Sequence, residues 1–331
     1  MGKPRERGAS TVIGILLLVG VAVVVGSVVA VGALTFLDGL GTPQATADFS
    51  YERTAAGLEM TPEAISTAVS VQLNGREVAT FQPRDAGQSV LLPTAPGDRI
   101  TVVSRDGEQS VLVQEEIDER SEIGDFIAYY TFEGADGDTT LEDQSGNDND
   151  GTLESVDDEE AWTGNSYDFD GADYFSVSDI EVPGTGVDEF TIAVAFKQDE
   201  PGGSDDVSQL VEHQYGGNEW FLETRDTGSN TYEIDYAVEF DDEQVSSGTD
   251  YGLGERHVAV GTYDGSEYDL YVDGTRVGGG THDDTVGTDE MHIGRDFESD
   301  IQYFDGEMYE IRLYYTAFDG EQVQVITNAM E

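Results

Sequence analysis

The hydrophobic pattern of the chain changes character once near its start and again only at its very end. Ala9 to Leu37 is 29 residues (9 through 37 inclusive) without a charge. As a helix that run would extend about 43 Å at 1.5 Å per residue, more than the roughly 30 Å of a bilayer's hydrocarbon core. Residues 38–47 hold Gly39, Gly41 and Pro43 and read as a linker. From Asp48 onward the apolar residues come in short runs broken by Gly, Asp and Asn, the pattern of strands and tight turns. Ser70–Leu73, Asn74-Gly75 and Glu77–Phe81 predict a hairpin, followed by strands over Val90–Leu92, Arg99–Val103 and Ser110–Val113, with Asp106-Gly107 as a further turn. This predicts a small β-sandwich over 48–123.

Residues 124–331 repeat the strand pattern on a larger scale. Phe190–Phe196 alternates, and His257–Tyr263, Tyr268–Val272 and Thr275–Val277 form a meander around Asp264-Gly265 and Asp273-Gly274. Gly320–Met330 alone has a helical reading in this part. The expected fold is therefore mainly β: an N-terminal hydrophobic α-helix, a small sandwich, and a second sandwich or jelly roll.

Charge narrows the setting. Asp and Glu number 69 against 15 Lys and Arg, a net charge of −54 in 331 residues. Self-repulsion of that size weakens a compact state in dilute buffer. At about 1 M salt the Debye length is only about 3 Å and the repulsion largely vanishes, so the composition predicts adaptation to high salt. No basic patch is available for phosphate backbones, which argues against nucleic acid as a partner. With no cysteine, disulfides, thiol catalysis and thiolate metal sites are excluded.

The basic flank Lys3, Arg5 and Arg7 predicts a cytoplasmic N-terminus, with everything after Asp38 outside the cell. A secretory signal places its small-residue cleavage site after the apolar region. Here the small-residue junction Arg7-Gly8-Ala9-Ser10 precedes it. That order, with Thr11-Val12-Ile13-Gly14 following, resembles the class III signal peptide of archaeal, and in particular haloarchaeal, type IV pilins. The resemblance implies cleavage between Gly8 and Ala9 by a prepilin peptidase. Segment 1–8 would be lost, and 9–37 would remain as a membrane and filament-core helix in contact with other pilin subunits. Ala22, Gly26 and Ala30 form a small-xxx-small row suited to close helix packing. Two departures stand out: Thr11 replaces the usual proline, and Ile13 stands where bacterial pilins carry glutamate. A plain signal anchor is the other reading of the same run.

The larger module also resembles a family. Ala128–Glu133, the loop Leu141-Glu-Asp-Gln-Ser-Gly-Asn-Asp-Asn-Asp-Gly-Thr-Leu153, Tyr167–Gly171 with Asp173–Val177, the Tyr263–Gly278 meander, and His292–Arg295, Phe304–Gly306 and Glu310–Tyr314 occur in order. Together they resemble the laminin G-like, concanavalin A-like jelly roll of microbial surface proteins, over nearly all of 126–328 within a domain spanning 124–331. Family members often bind calcium where that loop meets the closing strand. This implies Asp143, Asn147, Asn149 and Glu310 as candidate ligands, oxygen donors of the type calcium takes. Tyr309 stands where the family usually has aspartate, which removes one expected carboxylate. The other reading is that these Asn and Asp residues only build a tight loop.

Ligand recognition is the remaining chemistry. Tyr215 and Trp220 flank Gly216-Gly217-Asn218, with Tyr232, Tyr236 and Tyr251 following, which suggests an aromatic platform for sugar stacking. Glu233, Asp235 and Glu239 share strand parity, but about 3.3 Å per residue puts Asp235 and Glu239 about 13 Å apart, too far for two-carboxylate glycoside hydrolysis. Acid pairs across strands are left open. His213, His257, His282 and His292 are scattered, and His282 reads as part of an exposed loop. The sequence thus predicts a non-enzymatic, pilin-like subunit on the cell surface or an extracellular filament. Its jelly roll would be displayed for adhesion or for binding a surface glycan or protein. A non-polymerising membrane-anchored adhesin is the alternative, and a secreted glycanase a distant one.

Overall fold

The structure, a computed structural model, describes residues 45–331 apart from 55, 106–109, 118–123, 136, 155–160, 179, 181–188, 203–205, 216–217, 239–243, 283–289 and 298–301. The apolar run, its Gly8/Ala9 junction, the Ala22, Gly26 and Ala30 row and the Asp106-Gly107 turn lie outside the described residues. Among the described residues no helix is long and apolar enough to cross a membrane.

Seven strands make the first module: β1 (Ala47–Thr54), β2 (Gly57–Ile65), β3 (Val69–Leu73), β4 (Arg76–Phe81), β5 (Val90–Leu92), β6 (Arg99–Ser104) and β7 (Val111–Glu116). They form two antiparallel sheets, ordered β1-β2-β5 and β4-β3-β6-β7. The β3–β4 hairpin turns on Asn74 (φ 53°) and Gly75 (φ 84°). Two consecutive positive φ values are what a type I′ turn requires and what Asn-Gly supplies at little cost.

The second module follows with β8 (Phe126–Thr131), β9 (Thr140–Leu141), β10 (Gly151–Glu154), β11 (Tyr167–Asp170), β12 (Tyr174–Val177), β13 (Phe190–Gln198), β14 (Val207–Tyr215), β15 (Asn218–Asp226) and β16 (Thr231–Val238). It continues through β17 (Val245–Ser246), β18 (Tyr251–Gly252), β19 (Arg256–Tyr263), β20 (Glu267–Val272), β21 (Thr275–Thr281), β22 (Glu290–Ile293) and β23 (Asp305–Tyr314), and ends in α1 (Gly320–Met330). One sheet runs β17-β16-β15-β14-β22-β12-β10-β9, with β18 on β16. The other runs β11-β23-β13-β19-β20-β21, with β8 on β23. Large side chains of both inner faces, among them Phe132, Phe169, Phe175, Phe196, Tyr236 and Ile293, fill the space between the sheets.

The second sheet is buried on both faces. Along β13, Ile192, Val194 and Phe196 enter the jelly-roll core, while Ala193 and Ala195 join a separate core with Val69, Leu92 and Ile100 of the first module. Successive strand side chains point to opposite faces, so a strand covered on both sides must be apolar throughout. The small residues on the outer face leave room for α1, whose Val323, Ile326 and Met330 lie in that same second core.

α1 seals the seam between the modules. Asp319 caps its first turn by accepting from the Glu321 and Gln322 amides, and Gln322 returns the bond to the Asp319 amide. Its last turn holds no basic residue of its own. Arginines from both modules serve instead: Arg76 of β4 donates to the Glu331 carbonyl and Arg256 of β19 to the Met330 carbonyl. Cations at a helix C-terminus meet the negative end of its dipole and its unpaired carbonyls.

Candidate functional site

A polar cleft of about 610 Å³ opens where the two modules meet. The first module supplies Asn74, Pro96, Gly97 and Asp98, and the jelly roll supplies Tyr129, Thr131, Glu133, Gln144, Asn165, Arg256, Tyr309, Glu310 and Arg312. The 95–98 turn is held by Asp98, whose carboxylate accepts from Asn74 Nδ2 at 2.7 Å and from the Ala95 amide at 2.8 Å. Opposite it, Arg312 is only 1% exposed. It donates from Nε to Glu310 at 2.5 Å and from Nη1 to the Pro93 carbonyl at 2.8 Å, so a jelly-roll side chain is fastened to the first module. Burial pushes the Glu310 carboxyl above its usual range, opposed by the Arg312 guanidinium. Arg256 lies over the Tyr309 ring, 4.1 Å from its centroid.

A second depression, of about 430 Å³, continues the first. The two share Thr131, Glu133 and Gln144. The second adds Gly134, Thr139, Thr140, Glu142 and, on its wall, Trp162. The Trp162 indole N–H donates to the Asp138 carbonyl at 3.0 Å, and the ring meets Tyr167 edge-on at 4.9 Å between centroids. Gly134 makes room for it: a Cβ there would stand 2.3 Å from Trp162 Cε3. The result is one groove with an aromatic ring in each half, exposed carboxylates at Glu133 and Glu142, and amide and hydroxyl groups between.

Other residues singled out in the sequence lie elsewhere. Trp220 is 3% exposed, parallel to the His213 ring at 5.5 Å and packed on Phe190, so it belongs to the core. The Tyr215 side chain lies outside the described residues, and Tyr232 and Tyr236 are buried. The aromatic platform expected around Trp220 is therefore corrected. His282 is also buried, beside Tyr263, and is not part of an exposed loop.

The residues expected to hold calcium are engaged as follows. The Asp143 carboxylate accepts four hydrogen bonds: Oδ1 from the Tyr129 and Ser145 amides, Oδ2 from the Ser145 hydroxyl and the Asn149 amide. Asn147 Nδ2 donates to the Phe126 and Ile127 carbonyls and Asn149 Nδ2 to Ile127, while Glu310 is bound to Arg312. The loop spends its polar groups stitching itself to β8, whose carbonyls on that side have no strand neighbour among the described residues. Among the described residues no group of three or more His, Asp or Glu is placed to hold a metal.

An acid pair does form across strands. Glu223 of β15 faces Asp235 of β16, and Arg225 donates to both at 2.8 Å. Burial, with Asp235 and Asp296 nearby, pushes the Glu223 carboxyl up to about 8 against the pull of Arg225. A protonated acid beside a carboxylate is the splitting that acid–base pairs use. Here, however, Asp235 is 0% and Glu223 7% exposed, so the pair is part of the packed face. Glu233 bonds Ser246, and Glu239 lies outside the described residues.

Residues 169–324 match the family model Laminin_G_3, described as the concanavalin A-like lectin/glucanases superfamily. The C-terminal region is a laminin G-type, concanavalin A-like domain. Among solved structures, this chain is similar to domain 4 of AbnA, a GH43 extracellular arabinanase from Geobacillus stearothermophilus solved with arabinotriose. The identity is 15% and the TM-score 0.46, covering 60% of this chain and 97% of that one. It is similar also to a heptameric SAP-like pentraxin from Limulus polyphemus, at 12% identity and a TM-score of 0.40, covering 48% and 79%. A third is the binding domain of botulinum neurotoxin DC in complex with SialylT, at 10% identity and a TM-score of 0.44. That match covers 62% of this chain and 52% of the toxin chain, about half its length. No curated protein matches the sequence.

The groove residues of the laminin G-type domain carried little signal in the sequence. Trp162 and Asn165 sit in no recognisable motif, and Gln144, though inside the Leu141–Leu153 loop, was not singled out there. Tyr309 was visible as a departure from the family's closing strand, and it lines the groove.

Proposed function

We propose that this chain is a pilin-like cell-surface subunit whose laminin G-type domain binds a glycan in the groove between Trp162 and Tyr309. The groove carries the proposal: it is the place where exposed carboxylates, amides, hydroxyls and aromatic rings converge on a space large enough for several sugar units. The family match to lectins and glucanases is in keeping with it. The pilin-like part rests on the sequence: a charge-free run from Ala9 to Leu37 preceded by Arg7-Gly8-Ala9-Ser10. In this reading a prepilin peptidase cuts after Gly8, the helix joins other subunits, and the β modules stand outside the cell.

Mass spectrometry of the mature N-terminus, with electron microscopy of sheared surface filaments, tests the pilin half. A product starting at Ala9 and found in filaments supports it. An intact start at Met1 or Gly2 in the membrane fraction replaces it with the anchored, non-polymerising adhesin. Glycan-array screening of the full chain tests the binding half, and an absence of binding to any glycan removes it.

A further inference from the structure

The charges lining the groove select among glycans. Resting on the glycan-binding reading above, we propose that the groove takes a neutral glycan, one that presents hydroxyl groups to Glu133 and carries no carboxylate or sulfate.

Both cations in the groove already have partners. Arg312 is buried, donating to Glu310 and to the Pro93 carbonyl. Arg256 donates to the Met330 carbonyl at the C-terminus of α1 and lies over the Tyr309 ring. An acidic sugar is held best by a free fork of guanidinium donors; Arg312 offers none, and the exposed Arg256 already gives Nη2 to α1 and lies over Tyr309. The carboxylates of Glu133 and Glu142 are in the opposite condition: both are exposed and neither pairs with a cation among the described residues.

Glu133 belongs to both depressions, so any ligand spanning the groove passes over it. An ionised carboxylate is an acceptor only and can take two hydroxyl hydrogens from adjacent sugar hydroxyls. A sugar carboxylate or sulfate placed there offers it no hydrogen to accept, a mismatch that persists in high salt. Trp162, seated against Gly134, supplies an apolar wall beside this acceptor.

The test is an array of size-matched neutral, uronate-bearing and sulfated oligosaccharides, probed with the full chain at about 2 M NaCl, where long-range repulsion by the −54 net charge is suppressed. Neutral glycans are expected to bind and acidic ones not. Glu133→Gln is expected to weaken the best neutral ligand about tenfold, the scale of a lost charge-assisted hydrogen bond, with an unchanged melting temperature because the side chain is exposed. Gly134→Ala is expected to weaken it as well, by displacing Trp162. Preferential binding of acidic glycans overturns the proposed ligand class while leaving glycan binding intact. Neutral binding that neither substitution changes overturns the assignment to this groove. Binding to no glycan overturns both this proposal and the reading beneath it.

Discussion

Glu223 and Asp235 sit directly opposite each other on β15 and β16, with the single guanidinium of Arg225 donating to both. Gln244 Nε2 adds a further bond to Asp235 at 2.8 Å. Burial, with Asp235 and Asp296 nearby, outweighs the pull of Arg225 and pushes the Glu223 carboxyl up to about 8. Between about 4.5 and 8 the folded chain thus binds a proton that the unfolded chain releases, and stability falls as pH rises through that window. Glu223→Gln is expected to flatten this slope, raising stability at pH 9 by on the order of a few kcal/mol with little change at pH 5. Denaturant melts at both pH values check it. Buried His213, held down at about 4, sets the opposite limb: its contribution is lost as pH falls from about 6.5 to 4.

The Arg312–Glu310 pair gives a second expectation. Arg312→Met strips a buried carboxyl of its partner and leaves the Pro93 carbonyl without its donor. Breaking such a pair costs about 3–5 kcal/mol. The double variant Arg312→Met with Glu310→Gln removes the stranded charge and is expected to recover part of that loss. Urea unfolding of the two single variants and the double measures the coupling, which is expected to exceed about 0.5 kcal/mol as contacting residues do.

The loop after β9 (Thr140–Leu141) supplies a third. Because the Asp143 carboxylate already accepts four hydrogen bonds, Asp143→Ala is expected to destabilise the chain by about 2–4 kcal/mol, leaving several amides unpaired. Calcium added to the chelator-treated protein is expected to leave the melting temperature unmoved. A clear rise with calcium would show that cation binding outcompetes these bonds.

Salt provides the fourth. With a net charge of −54, the melting temperature is expected to rise steadily as NaCl or KCl goes from about 0.1 to about 3 M, as screening removes repulsion. A flat profile would mean that the acids are compensated locally. Few local partners are in view: Arg53–Asp125, Arg99–Glu116 and Arg105–Glu77 are exposed pairs of small individual worth.

The sequence by itself determined the elements whose causes are local. Asn74-Gly75 and Asp273-Gly274 had to turn because both positions of each pair take positive φ. Gly320–Met330 had to be helical because Asp319 and Gln322 cap it ahead of an apolar stripe. The ordered run of strand motifs sufficed for the jelly roll, because alternation along a strand is written in neighbouring residues. Only the tertiary structure decided which polar and aromatic groups meet. Trp162 reaches Gly134, Arg312 reaches Pro93, and Glu223 reaches Asp235 through strand pairing and module docking. Trp220, which reads like a surface platform, is instead consumed by the core. Such contacts depend on sheet order and on which faces are covered, and no short stretch of sequence contains either.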